Sequence, residues 1–136
     1  MLFWQVSTLW QRAVKTALRP FDLTLTQYVI LAVIAELSET NDEITQKQIS
    51  DFSMIDTMTV SNTLRLLEKK GLAKRIPSKS DSRANTIHNT DAGSVILRKA
   101  VRIVEEVDAA FFFDTKDDIK MFQELLAKLK AENLVE

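Results

Sequence analysis

Six side chains near the middle of the sequence have the chemistry to read a nucleic acid. Thr57, Ser61, Asn62, Arg65 and Lys69 fall on the side of the segment TMTVSNTLRLLEKK opposite Val60, Leu64 and Leu67, which recur at i, i+4 and i+7. An Asn amide matches the donor–acceptor pair of adenine, an Arg guanidinium matches guanine, and the methyl groups of Thr57 and Thr59 suit that of thymine. Upstream, Thr45, Gln46 and Lys47 open a shorter helical pattern whose free N–H groups can meet phosphate, although Thr45 is also a natural cap. Solvent exposure produces polar helix faces of the same kind, so pattern alone leaves both readings open.

Charge distribution separates them better. The 136 residues carry a formal net charge of −1, which by itself speaks against a polyanionic partner. Yet between Arg65 and Arg83 lie Arg65, Lys69, Lys70, Lys74, Arg75, Lys79 and Arg83 against only Glu68 and Asp81, a local excess of five positive charges. Between Glu105 and Asp118 six acidic residues face Lys116 alone. Counterion release depends on cations close to phosphate, so a local excess is sufficient.

Other chemistries are poorly provided for. The chain has no Cys and one His, His88, which excludes disulfides, thiolate zinc sites, thiol redox sensing and any site built on two imidazoles. It has no Gly-rich phosphate loop, nucleophile motif or paired ligand set, so no enzyme activity, cofactor or metal is expected. A single His reads as a hydrogen-bonded structural residue. No stretch approaches the ~18 apolar residues of a membrane span, and MLFWQVSTLWQR lacks the basic start and cleavage site of a signal peptide; a cytoplasmic location is expected.

The elements that must position these groups follow from periodicity. Two Gly and two Pro favour long helices. The spacing predicts a helix over 2–18, with Phe3, Val6, Trp10 and Ala13 on one face and Pro20 at its end. Thr24 and Gln27 have capping-box spacing before a second helix that is apolar nearly all round, hence central. The polar stretch 38–43 is a loop, and Ile44 is expected as a one- or two-residue strand. Thr45 and Gln48 form a second capping box before a short helix, residues 53–56 turn, and Asp56 caps the helix carrying the polar face. Gly71 ends it in the left-handed conformation. Leu72–Ile76 and Thr86–His88 read as a hairpin around a polar turn. Thr90 caps a helix from Asp91 to Phe111 with the stripe Val95, Ile96, Ala100, Ile103, Val104 and Val107. Thr115 caps a last one with Ile119, Phe122, Leu125, Leu126 and Leu129.

A helix-turn-helix followed by a basic hairpin, with helices on either side, resembles the MarR family of winged helix-turn-helix regulators. The matching stretches are LTLTQYVILAVIAEL, then ITQKQISDFSMIDTMTVSNTLRLLEKKGLAKRIPSKSDSRANTIHNTDAGSVIL. Within them LLEKKGLAKR, the Asp81-Ser82-Arg83-Ala84 wing motif and TDAG at 90–93 are the most specific. The chain departs from the family at Leu66, where Arg is frequent, and at Ile87-His88-Asn89-Thr90, which obscures the end of the second wing strand.

The resemblance implies a mainly α fold with a small β-wing, in one domain over 1–136. The winged helix-turn-helix would occupy about 24–89, and dimerisation helices 1–20 and 91–136. It implies a homodimer that binds a pseudo-palindromic duplex-DNA operator as a regulator, with repression by promoter occlusion as the expected mode. Arg83 would enter the minor groove, held by an ion pair with Asp81, while Lys79, Ser80 and Ser82 would contact phosphates. It further implies a candidate pocket for a small aromatic effector near Trp10 and Tyr28, although packing in the core or dimer interface accounts for those rings more simply. The rival readings are a winged helix used only for protein–protein contact, and a different winged-helix family with only a C-terminal dimer helix.

Overall fold

In the computed structural model, which describes residues 1–112 and 115–134, α1 spans Leu2–Leu18, α2 Leu25–Ser38, α3 Gln46–Ser53 and α4 Thr57–Lys69. Strands β1 (Ala73–Pro77) and β2 (Asn85–Asn89) follow, then α5 (Asp91–Phe111) and α6 (Lys116–Asn133). Asp114, counted above in the acidic stretch, lies outside the described residues. The fold is a winged helix-turn-helix flanked by N- and C-terminal helices.

Local chemistry sets most boundaries. Thr24 accepts from the Gln27 amide at 3.1 Å while Gln27 Oε1 takes the Thr24 amide at 3.2 Å, and Thr45 and Gln48 repeat the arrangement at 3.2 and 2.8 Å. At the start of α4, Asp56 accepts both the amide and the hydroxyl of Thr59, at 3.0 and 2.6 Å. These bonds hold the Asp56 carboxyl below its ordinary pKa. Gly71 sits at φ +73° just past α4. Pro20 does not simply stop α1: the chain tightens into a 3-10 turn over Arg19–Phe21, where a proline near the start costs no hydrogen bond, and reverses at Asp22 with φ 53°.

The core is organised around α2, whose Ile30, Leu31, Val33 and Ile34 are buried against Val14 and Leu18 of α1, Ile49 of α3, Val60, Leu64 and Leu67 of α4, Ile87 of β2, and α5. The hairpin is antiparallel, with Ala73 opposite Asn89 and Pro77 opposite Asn85, so the second strand ends at Asn89. Ile44 forms no strand; one carbonyl bond to the Ile87 amide, 2.8 Å, is its only share in the sheet. The buried line of α5 is Gly93, Leu97, Ala100 and Val104, whereas Val95 of the expected stripe is exposed. The reason is steric. A Cβ on Gly93 would lie 2.0 Å from the Leu72 carbonyl oxygen, so α5 meets β1 through its glycine side. Thr90 completes that junction, its hydroxyl donating to the Gly71 carbonyl at 2.6 Å and its amide to that of Leu72 at 3.0 Å.

The ends of the chain differ from its middle. Among the described residues, α6 buries none, and Leu2, Phe3, Trp4, Val6 and Leu9 of α1 are exposed.

Candidate nucleic-acid interface

Because α4 buries Val60, Thr63, Leu64 and Leu67, its opposite side is free. That side forms a shallow cleft of about 470 Å³ lined by Gln46, Thr57, Met58, Ser61, Asn62 and Arg65. Gln46 belongs to the cleft because its amide donates to the Thr57 carbonyl at 3.3 Å, joining the first residue of α3 to the first of α4. Asn62 and Arg65 touch at 3.4 Å and leave further donors open to an incoming partner. Lys69 continues the face one turn on, exposed.

Two members of the face differ from expectation. Thr59 is half-buried and its hydroxyl is held by the Asp56 cap, which sets it to the side. Met58, which sequence reasoning passed over, is 72% exposed. At about 100° per residue it projects about 20° from Arg65 and about 40° from Asn62, in the middle of the polar face. An exposed thioether there puts apolar surface in the cleft where only threonine methyls were expected. The signal was available as one apolar residue on a polar face, which reads as noise until burial is known.

The wing is fixed by its own turn and by one distant carboxylate. Ser78 Oγ accepts the amides of Ser80 and Asp81 at 3.2 and 3.1 Å, and the Ser78 amide donates to the Ala84 carbonyl at 3.0 Å. Asp81 does not pair with the Arg83 guanidinium; its Oδ1 accepts the Arg83 amide at 3.0 Å, the local turn geometry natural to a short carboxylate two residues upstream. Asp81 therefore shapes the backbone, and among the described residues the Arg83 side chain has no ion pair.

Glu43 was not anticipated. Its carboxylate accepts Ser78 Oγ at 2.8 Å, the Lys79 amide at 2.7 Å and Ser80 Oγ at 2.9 Å. The bonds from Ser78, Ser80 and the Lys79 amide hold its pKa below the ordinary carboxylate range. No periodic signal links residues so far apart in the chain.

The basic excess is also redistributed. Arg75 is paired with Glu68 at 2.6 Å, and the Lys70 ammonium turns to the Asp22 carbonyl and to Gln27 Oε1, the latter at 2.9 Å. Lys47 is bridged to Asp51 at 2.9 Å. Arg65, Lys69, Lys74, Lys79 and Arg83 remain exposed, without ion pairs among the described residues.

Trp10 and Tyr28 share a partner rather than a cavity. Trp10 Nε1 donates to Asp108 Oδ1 at 2.7 Å. Burial, then the charges of Asp108 and Glu105, raise the pKa of the Tyr28 phenol. Trp10 also lines an apolar groove of about 460 Å³ with Leu2, Phe3, Val6, Phe122 and Leu126, in which Tyr28 takes no part. His88 is bound through Nε2 to Thr86 Oγ1 at 2.8 Å. Among the described residues no group of three His, Cys, Asp or Glu is placed to hold a metal, and no single helix is long and apolar enough to cross a membrane.

Comparison with known proteins agrees with this architecture. The MarR family model matches residues 23–84. YdcH, an HTH-type transcriptional regulator of Bacillus subtilis, is 39% identical over 111 residues, covering 82% of this chain and 76% of that protein. A mutant MarR from E. coli complexed with operator DNA superposes with a TM-score of 0.83 at 23% identity, covering 94% of this chain and 90% of that one. CouR from Rhodococcus jostii RHA1, bound to p-coumaroyl-CoA, gives 0.83 at 22% identity, covering 99% and 93%. At such identities the structural likeness is one of fold; the sequence relation to YdcH and the family match carry the assignment. The chain belongs to the MarR family of transcriptional regulators.

Proposed function

We propose that the chain is a sequence-specific duplex-DNA-binding regulator that acts as a homodimer on a pseudo-palindromic operator and represses by occluding a promoter. The observation that carries this reading is the stretch 43–46. Glu43 grips the wing turn and Gln46 touches the start of α4, so three peptide steps, about 11 Å at full extension, separate the anchor points of the two candidate DNA-reading elements. A helix in the major groove and a hairpin over the neighbouring backbone need that proximity.

In this reading Thr57, Met58, Ser61, Asn62 and Arg65 face base edges, while Gln46, Lys69 and Lys79 contact phosphates. Arg83 enters the minor groove, and the winged module over about 24–89 is the DNA-binding unit. The exposed apolar residues of α1 and α6, within the dimerisation segments 1–20 and 91–136, supply the dimer interface, since they are not buried among the described residues. The groove beside Trp10 is where a small, largely apolar or aromatic effector fits; that a fold relative, CouR, holds p-coumaroyl-CoA supports ligand control. The protein works on cytoplasmic DNA without a cofactor and catalyses nothing.

The test is selection of duplexes from a random pool, followed by binding of the selected duplex and of random duplex across a salt series. Asn62→Ala loses affinity by about tenfold or more on the selected duplex and little on random DNA. Arg83→Ala weakens both and lowers the salt slope by about one. If no sequence is enriched and Arg83→Ala binds as wild type at every salt concentration, the wing is no DNA contact and a protein-interaction role replaces this one.

A further inference from the structure

We infer that Glu43 is a positioning residue for DNA binding, an acid beside the DNA-facing surface whose removal weakens the complex because it holds the wing in shape. The inference rests on the DNA-binding reading above and adds the device that makes the wing competent.

Apart from its own turn bonds, the tip of the wing has little to hold it. Of β1 only Ala73 is buried, and residues 79–83 are exposed. Ala73, Thr86 and Ile87 anchor the base of the hairpin, but no residue from 78 to 84 is buried, and ordering each residue of that tip costs about 1–2 kcal/mol. Against that cost stand three hydrogen bonds from consecutive residues to one ionised carboxylate, all within 2.9 Å. Bonds to an ionised acceptor are roughly twice as strong as neutral ones. Their anchor is firm: Ile44, the next residue, is buried and bonded to the Ile87 amide, and Thr45 is the α3 cap. A rigid point on the helix-turn-helix thus clamps the tip-side end of β1.

Two consequences distinguish this role from a bystander's. Ser80, expected to meet phosphate, has its hydroxyl committed to Glu43, so it supports the wing and leaves the phosphate contact there to Lys79, beside Arg83 in the minor groove. The sign of the mutational effect is the second. An acid near phosphates repels them, so neutralising a bystander tightens binding. Neutralising a clamp loosens it, because the wing must then be ordered at the moment of binding.

The experiment uses the full chain and the duplex selected by the wild type. Glu43→Ala is expected to bind about tenfold more weakly, and Glu43→Gln, which keeps an acceptor but loses the charge, by an intermediate factor. Amide hydrogen exchange at Lys79 speeds up in both variants while the thermal midpoint hardly moves, since Glu43 lies outside the core. In an Arg83→Ala background the Glu43→Ala penalty shrinks, because both act through the wing. Equal or tighter binding by Glu43→Ala, or a penalty undiminished when Arg83 is absent, overturns the inference alone. Failure of the wild type to bind any duplex overturns the underlying reading and the inference together, whatever the exchange at Lys79 shows.

Discussion

Helices α2 and α6 both carry large apolar side chains and meet opposite fates. In α2, Ile30, Leu31 and Ile34 have no exposure at all, whereas in α6 Met121, Leu125 and Leu129 remain 60%, 52% and 54% exposed. The first is apolar all round and the chain wraps it. The second is apolar along one side, and among the described residues none of that side is buried. The winged module buries its core within itself, with Phe52, Met54, Met58, Leu66 and Ile76 exposed at its rim, while α6 buries no side chain among the described residues, as the proposed second copy requires.

The sharpest way to break that contrast is to charge the open side. Joint Leu125→Glu and Leu129→Glu substitution is expected to weaken self-association by a thousandfold or more (on the order of 4 kcal/mol), because a dimer would have to bury unpaired carboxylates. Sedimentation equilibrium should then report 15.5 kDa for the variant and twice that for the wild type, with helical circular dichroism unchanged. A wild type that already sediments as a monomer removes the dimer from the proposal.

A substitution in the closed region should behave in the opposite way. Leu64→Ala deletes a fully buried side chain in the middle of the core and is expected to cost about 2–5 kcal/mol in denaturant unfolding. Its midpoint relative to wild type should not depend on protein concentration. A cost below about 1 kcal/mol would mean that the module is not packed as described.

Legibility in the sequence follows the same division. Caps and periodic burial are local, and Thr24, Thr45, Asp56, Thr90 and Gly71 announce their elements within four residues of chain. The polar face of α4 was legible by the same rule. What could not be read depends on contacts between distant segments. Glu43 reaches Ser78–Ser80 across more than thirty residues, Arg75 is neutralised by Glu68 across the α4–β1 turn, and Lys70 turns back to Asp22. Which two of the seven cations were already partnered could therefore not be read, and Asp81 was paired with the wrong part of Arg83. Both follow from counting charges before knowing which group each one meets. Of the α5 stripe, Ile96, Ala100, Val104 and Val107 meet the core as read, while Val95 is exposed and Gly93 and Leu97 were passed over, because the start of that face depends on Gly93 admitting the Leu72 carbonyl, which periodicity does not report.

The finest test sits where the two regions meet. Tyr28, the one tyrosine of the chain, belongs to α2 but faces Asp108 of α5, and its burial and the acidic neighbours raise its pKa. In the unfolded chain it ionises near ~10. The folded phenol should still be neutral there, so its contribution to stability is complete below that pH and is lost as pH rises toward the folded value. Ultraviolet absorbance titration of native and denatured protein measures both values. If closed module and open ends are independent, the shift survives the double Glu substitution in α6; an unshifted phenol in that variant would tie the two regions together.

The contact of Gly93 with Leu72, closed by the two bonds from Thr90, has a mechanical consequence. It removes the hinge from the corner where α5 leaves the wing, so the helix and the module turn as one lever. The 21 residues of α5 make an arm about 31 Å long. A rotation of that rigid unit by about 10° about the corner moves the far end by about 5 Å, so a small displacement near Phe111 would turn the module, and with it the proposed reading head. The separation of two such heads in a dimer would be geared to whatever wedges or releases the far ends of their arms.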